Sequence, residues 1–85
     1  MTELQLAIGY GDFLRFIGRN MDAVRTYQHA LVLDPESLDV RLALGGAYWS
    51  GGKRDDAMDQ WREILRRDPT FAPAAQALAQ AGTGR

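Results

Sequence analysis

The sequence predicts an all-α chain, an α–α superhelix (solenoid) of two helical hairpins closed by a capping helix. Three observations predict it. The chain repeats itself at a spacing of 34 residues, apolar side chains recur at helical steps inside each copy, and glycines or Asp-Pro pairs interrupt the pattern at matching places. Shifted by that spacing, Leu4 falls on Leu38, Gly11 on Gly45, Gly18 on Gly52, Asp22 on Asp56, Ala23 on Ala57, Leu31 on Leu65, Asp34 on Asp68 and Pro35 on Pro69. Leu6 with Val40, Ile8 with Leu42, Arg19 with Lys53 and Tyr27 with Trp61 add matches of chemical type. A period of this length marks stacked units, each burying its apolar face against the next.

The first helix rests on Leu6, Tyr10, Phe13, Leu14 and Ile17, three and four residues apart, with Thr2 and Gln5 spaced as a capping box at its start. Gly18 ends it. The second helix, over 20–33, carries Ala23, Val24, Tyr27, Ala30 and Leu31 on one face, with Asn20 as the expected N-cap and Asp22 in the first turn. Asp34-Pro35 stops it, because proline cannot continue a helix and restricts the residue before it. The second copy repeats this plan around Gly51-Gly52 and Asp68-Pro69. Asp55 and Asp56 open its second helix, Arg66 and Arg67 close it, and Glu63 stands four residues before Arg67, so both ends complement the helix dipole. A third copy begins at Thr70, expected to cap a helix over about 71–81 in which Pro73 lies in the first turn and alanines dominate. Residues 82–85 are expected to form a tail. The organisation expected is one domain, 1–85, with repeat one at 4–37, repeat two at 38–71, then the capping helix.

Composition narrows the function. The 85 residues leave room for one small domain; 46% are hydrophobic and 25% charged, the balance of a folded globular chain. Ten basic against eleven acidic residues give a net charge of −1, which provides no field for a nucleic-acid backbone or an anionic membrane. There is no cysteine, hence no disulfide or thiol chemistry, and no apolar run approaches the roughly 20 residues that span a bilayer. No export signal opens the chain, and the expected location is the cytoplasm, although cysteine usage leaves the redox compartment open.

Both copies carry the motif of a known family. The second reads Arg41-x2-Leu44-Gly45-x2-Tyr48, then Ala57-x3-Trp61, then Pro69; the first reads Ala7-x2-Tyr10-Gly11-x2-Leu14, then Ala23-x3-Tyr27, then Pro35. The chain therefore resembles the tetratricopeptide repeat; the second copy departs from its pattern only at the first position, where Arg41 replaces tryptophan, and the first copy, with Ala7 there, also swaps the bulky apolar types at Tyr10 and Leu14. Gly11 and Gly45 permit close helix approach, Ala23 and Ala57 are the small residues facing them, and Tyr27 and Trp61 fill the space between helices. The resemblance implies a concave groove, lined by the first helix of each unit, that receives an extended peptide or a partner helix. Its lining would be Gln5, Ile8, Asp12, Arg15 and Phe16, then Asp39, Leu42, Gly46, Trp49 and Ser50, then Gln76 and Gln80. Trp49 and Phe16 are the candidate anchors, set against packing within the solenoid or the cap. Gly46, a second glycine inside a helix, either admits a ligand backbone or is drift. One subclass of the family grips acidic chaperone tails with Lys, Asn and Arg; here those positions hold Ile8, Asp12, Ala43, Pro73 and Ala77, which cannot form such a clamp.

Nothing points to catalysis, a metal or a cofactor. The only histidine, His29, has no converging ligands, and Asp55, Asp56 and Asp59 lack the glycine turn and glutamate of a calcium loop. No catalytic triad, phosphate loop or paired carboxylates in an apolar setting can be assembled, so the chain is not expected to be an enzyme. Arg62, Arg66 and Arg67 form a basic stripe offset by neighbouring acids. The first helix, in contrast, is apolar nearly all round, and an array of two and a half units is short for stability. Self-association through Leu4, Leu6, Phe13 and Ile17, or membership of a longer repeat array, follows as an expectation beside the leading one, a protein or peptide partner held in the groove.

Overall fold

Helix α1, Glu3–Phe16, starts on the predicted capping box: Thr2 Oγ1 accepts from the Gln5 backbone N–H at 3.1 Å and Gln5 Oε1 accepts from Thr2 N–H at 2.9 Å. In the computed structural model, which describes residues 1–83, it is followed by α2 (Asn20–Leu33), α3 (Leu38–Ser50), α4 (Arg54–Arg67) and α5 (Ala72–Thr83). The described residues contain no strand. Both hairpin turns pass through a left-handed glycine, Gly18 at φ +83° and Gly52 at φ +82°, a conformation that costs a glycine little. Each turn closes on a 2.8 Å bond, Arg19 N–H to the Leu14 carbonyl and Lys53 N–H to that of Tyr48, so the repeat holds down to single hydrogen bonds.

Helices pack on their neighbours in chain order, α1 on α2, α2 on α3, α3 on α4 and α4 on α5, with a lesser contact between α1 and α3. The body is a slab of 36 × 27 × 15 Å. One core gathers Ala7, Leu14, Ala23, Val24, Tyr27, Ala30, Val40, Leu44 and Ala47; the other gathers Ala57, Trp61, Ile64, Ala74 and Ala81. Helix α3 serves both, turning Val40, Leu44 and Ala47 to the first and Leu42 and Trp49 to the second. Gly11 and Gly45 are buried because an aromatic ring occupies the place of a Cβ: one built on Gly11 would stand 2.6 Å from the Tyr27 ring, one on Gly45 2.8 Å from Trp61 Cδ1.

Four expectations change. The inward face of α1 is Ala7, Gly11 and Leu14, with Leu4 and Ile8 packed beside them, whereas Leu6, Tyr10, Phe13 and Ile17 face outward. A helix apolar on every side gives no periodic signal for which side is covered; the small residues that admit Tyr27 decide it. Leu4 thereby leaves the predicted self-association set and joins the core. Asn20 is the first residue of α2 rather than its cap, and Arg19 holds the cap position without a side-chain bond, because the chain enters the helix straight from the Gly18 turn. Thr70 does not cap α5: its hydroxyl donates to Asp68 Oδ1 at 2.7 Å and its N–H at 3.0 Å, which holds the Asp68 carboxyl below its ordinary range. Finally, α5 runs through Gly82 and Thr83, where a tail was expected, since one late glycine costs an alanine-rich helix little. The rest of that tail, residues 84–85, lies outside the described residues.

Candidate functional site

The residues expected to line a groove divide into those free to meet a partner and those already engaged. Gln5 is spent on the α1 cap. Ile8 packs into the first core and Leu42 into the second, where the Leu42 carbonyl also accepts from Trp61 Nε1 at 3.4 Å. Asp39 and Gln76 are exposed and line neither of the clefts described next.

Asp12, Arg15, Phe16 and Ser50 come together around a cleft of about 320 Å³. Asp12 accepts a hydrogen bond from the hydroxyl of buried Tyr27. Burial first, and then this bond to a carboxylate, push the Tyr27 phenol up to about 12; Arg15, which also reaches the hydroxyl, opposes the shift. The Arg15 guanidinium lies against α3 at Gly46, with Nη2 2.6 Å from where a Cβ would stand. The space left by Gly46 is therefore filled by an arginine of the same chain. Phe16 is 88% exposed at the rim.

The second cleft, about 340 Å³, is lined by Trp49, Arg54, Trp61, Ala77, Gln80 and Ala81. The rings of Trp49 and Trp61 have centroids 5.8 Å apart and planes tilted by 36°. Arg54 lies over the Trp49 ring, its guanidinium carbon 4.7 Å from the centroid. Trp49 is thus half-buried and fixed. Trp49 and Ser50 are consecutive, so the end of α3 gives one residue to each cleft. Arg54 escaped the sequence reading; its signal was its position five residues after Trp49, across the Gly51-Gly52 turn.

Charge is distributed unevenly over the arginines. Arg19, Arg25, Arg62, Arg66 and Arg67 each form an ion pair with an aspartate or glutamate. Arg15 and Arg54, beside the two clefts, form none among the described residues. His29 pairs with Glu3, Nε2 to Oε2 at 2.9 Å, and joins α2 to the start of α1. No group of three or more His, Asp or Glu able to hold a metal ion occurs among the described residues, and no described helix is long and apolar enough to cross a membrane.

A third and larger opening, about 710 Å³, lies between α1 and α2, where Leu6 and Tyr10 meet Arg19, Asp22, Arg25 and His29. It belongs to the outward face of α1 and touches none of the expected groove residues.

The tetratricopeptide repeat family model matches residues 18–81. Over 77 residues the chain is 27% identical to a Petunia hybrida protein named probable UDP-N-acetylglucosamine–peptide N-acetylglucosaminyltransferase SPINDLY, a match covering 91% of this chain and 8% of that one. Over 64 residues it is 30% identical to tetratricopeptide repeat protein 14 of Mus musculus, covering 75% of this chain and 8% of the relative. The chain thus spans less than a tenth of the length of these curated relatives.

Proposed function

The chain belongs to the tetratricopeptide repeat family, and on that footing we propose that it is a noncatalytic protein-interaction module, a scaffold or adaptor that binds an extended peptide or partner helix along α1, α3 and α5. The observation that carries this reading is the pair of clefts to which the end of α3 contributes consecutive residues, Trp49 to one and Ser50 to the other. One offers a fixed aromatic wall, the other an exposed phenylalanine, and each has an arginine free of ion pairs. Aromatic and arginine side chains held in this manner make the strong contacts of protein interfaces. The net charge of −1 favours a polypeptide partner over nucleic acid. The transferase activity in the name of the petunia protein is that protein's; no catalytic step is carried over from a match to 8% of its length.

Selection of a peptide-display library on the purified chain tests the reading. Enriched peptides should lose about tenfold or more in affinity to Trp49→Ala and to Phe16→Ala. The second variant, on an exposed residue, should melt as the wild type does. Equal binding by both variants would contradict the proposal.

A second reading, self-assembly through α1, is favoured by a separate observation: Leu6, Tyr10 and Phe13 on the helix and Ile17 at its C-cap are each about half exposed, at 57%, 58%, 55% and 47%. Sedimentation at micromolar concentration reads it directly, a dimer being the expected species and a monomer the contrary one.

A further inference from the structure

The outward face of α1 has counterparts inside the same molecule. Leu6, Gly9, Tyr10 and Phe13 stand one period before Val40, Ala43, Leu44 and Ala47, and two before Ala74, Ala77, Leu78 and Ala81. In α3 and α5 that face is covered by the preceding hairpin: Val40 and Leu44 are 2% exposed and Ala47 0%, while Ala74 and Ala81 are buried and Leu78 half-buried. On α1 no described helix covers it: Leu6, Tyr10 and Phe13 stay more than half exposed, and a Cβ on Gly9 would find no described atom within 4 Å.

A hairpin that presents the side chains of the other two, stacked in their register, does not fit this face. Where α3 and α5 press an alanine against the preceding helix, α1 carries Phe13, and a ring in place of a fully buried methyl would overpack that contact. A different geometry is written into α1. Its outward residues, with the capping Ile17 just past its end, fall at steps of four, three and four, from Leu6 through Tyr10 and Phe13 to Ile17, the spacing of a seam between two helices packed at a shallow angle. Gly9 leaves room beside that seam for close approach.

The row of large exposed hydrophobic side chains at helical steps is, among the described residues, the seam itself; the others, Met1, Phe16, Met21, Val32 and Leu33, form no such row. Among the described residues, every large hydrophobic side chain classed as exposed lies at or before Leu33, and the outward side of α5 carries Ala72, Ala75, Gln76 and Ala79 instead. A head-to-tail contact would place Phe13 and Tyr10 against alanine and glutamine; a two-fold contact places them against each other. The charged residues beside the seam include both signs, Glu3 and Asp22 with Arg19 and Arg25, and a net charge of −1 leaves two copies little to repel.

We propose that α1 pairs with α1 of a second copy across a two-fold axis, forming a closed dimer whose seam is Leu6, Tyr10, Phe13 and Ile17 and which leaves the clefts at Phe16 and Trp49 open. This rests on the self-assembly reading and adds its symmetry. The chain contains no cysteine, so single-cysteine variants can be spin-labelled at one site per copy. Val32→Cys labels the exposed end of α2 beside α1, and Gln76→Cys labels α5. Sedimentation should show a dimer whose dissociation constant rises about tenfold or more in Phe13→Asp, with helicity by circular dichroism unchanged. Electron–electron distance measurement on the dimer should give a single separation at position 32 clearly shorter than that at position 76. Equal separations at the two sites would reveal head-to-tail packing and overturn the two-fold while leaving self-assembly standing. A monomer would overturn both, as would a monomer that instead captures a synthetic helix of residues 20–33.

Discussion

Tyr27 joins the core to the candidate site. Its ring fills the space opposite Gly11 and its hydroxyl donates to Asp12 at the first cleft, so one residue both closes the first hairpin and fixes a lining carboxylate. The unfolded chain releases the phenolic proton near 10, while the folded chain holds it to about 12. Across that window the unfolded state binds fewer protons, and stability falls as pH rises; below pH 10 the contribution is complete. Alkaline denaturation followed by circular dichroism should show this loss, and Tyr27→Phe should remove it. The glycines make a contrasting pair. Gly45→Ala drives a Cβ into the boxed-in Trp61 ring and should cost about 1–3 kcal/mol in urea denaturation, whereas Gly9→Ala meets open space and should raise monomer stability by up to about 1 kcal/mol.

Among the described elements, α4 carries the most ion pairs. Glu63 binds both Arg66 and Arg67, and Arg67 reaches back to the turn before α3, to the Pro35 carbonyl at 3.4 Å and Glu36 at 3.6 Å. These bonds hold the Glu63 carboxyl down at about 2, against 4.5 for a free glutamate. The unfolded chain takes up that proton first, so stability should fall as pH drops from about 4.5 to about 2, less steeply in Glu63→Gln, as followed by thermal melts. Helix boundaries were legible in the sequence because their causes are local: the Thr2–Gln5 box, Gly18 and Gly52, and the two Asp-Pro pairs. The inward face of α1 was not, since apolar residues surround it and the choice depends on Tyr27, sixteen residues beyond Gly11. Of the residues expected to line a groove, Asp12, Arg15, Phe16, Trp49 and Ser50 fall beside the two clefts, because helical spacing alone puts them on neighbouring faces of α1 and α3. Arg54 was hidden, because its place over Trp49 depends on a contact across the Gly51-Gly52 turn that no helical period encodes, and Gln5, expected in both the cap and the groove, is spent on the cap.

For the whole molecule, the two cores and the helix they share predict how it comes apart. Helix α5 contributes Ala74 and Ala81 to the second core and nothing to the first. A chain ending at residue 71 should lose hydrogen-exchange protection mainly in α4, while α1 and α2 keep theirs. Uniform loss would mean that the cores do not open separately. The same layout separates two surfaces on α1, the Asp12, Arg15 and Phe16 side turned to the clefts and the Leu6, Tyr10 and Phe13 side turned away, so one helix can serve a partner and a second copy together. The central claim is that the clefts bind another polypeptide, and mapping backbone amide shifts by NMR while a display-selected peptide is added tests it most directly. The account predicts shifts centred on Asp12, Phe16, Trp49, Ser50 and Ala77; shifts confined to the outward side of α1 or to the exposed faces of α2 and α4 would contradict it.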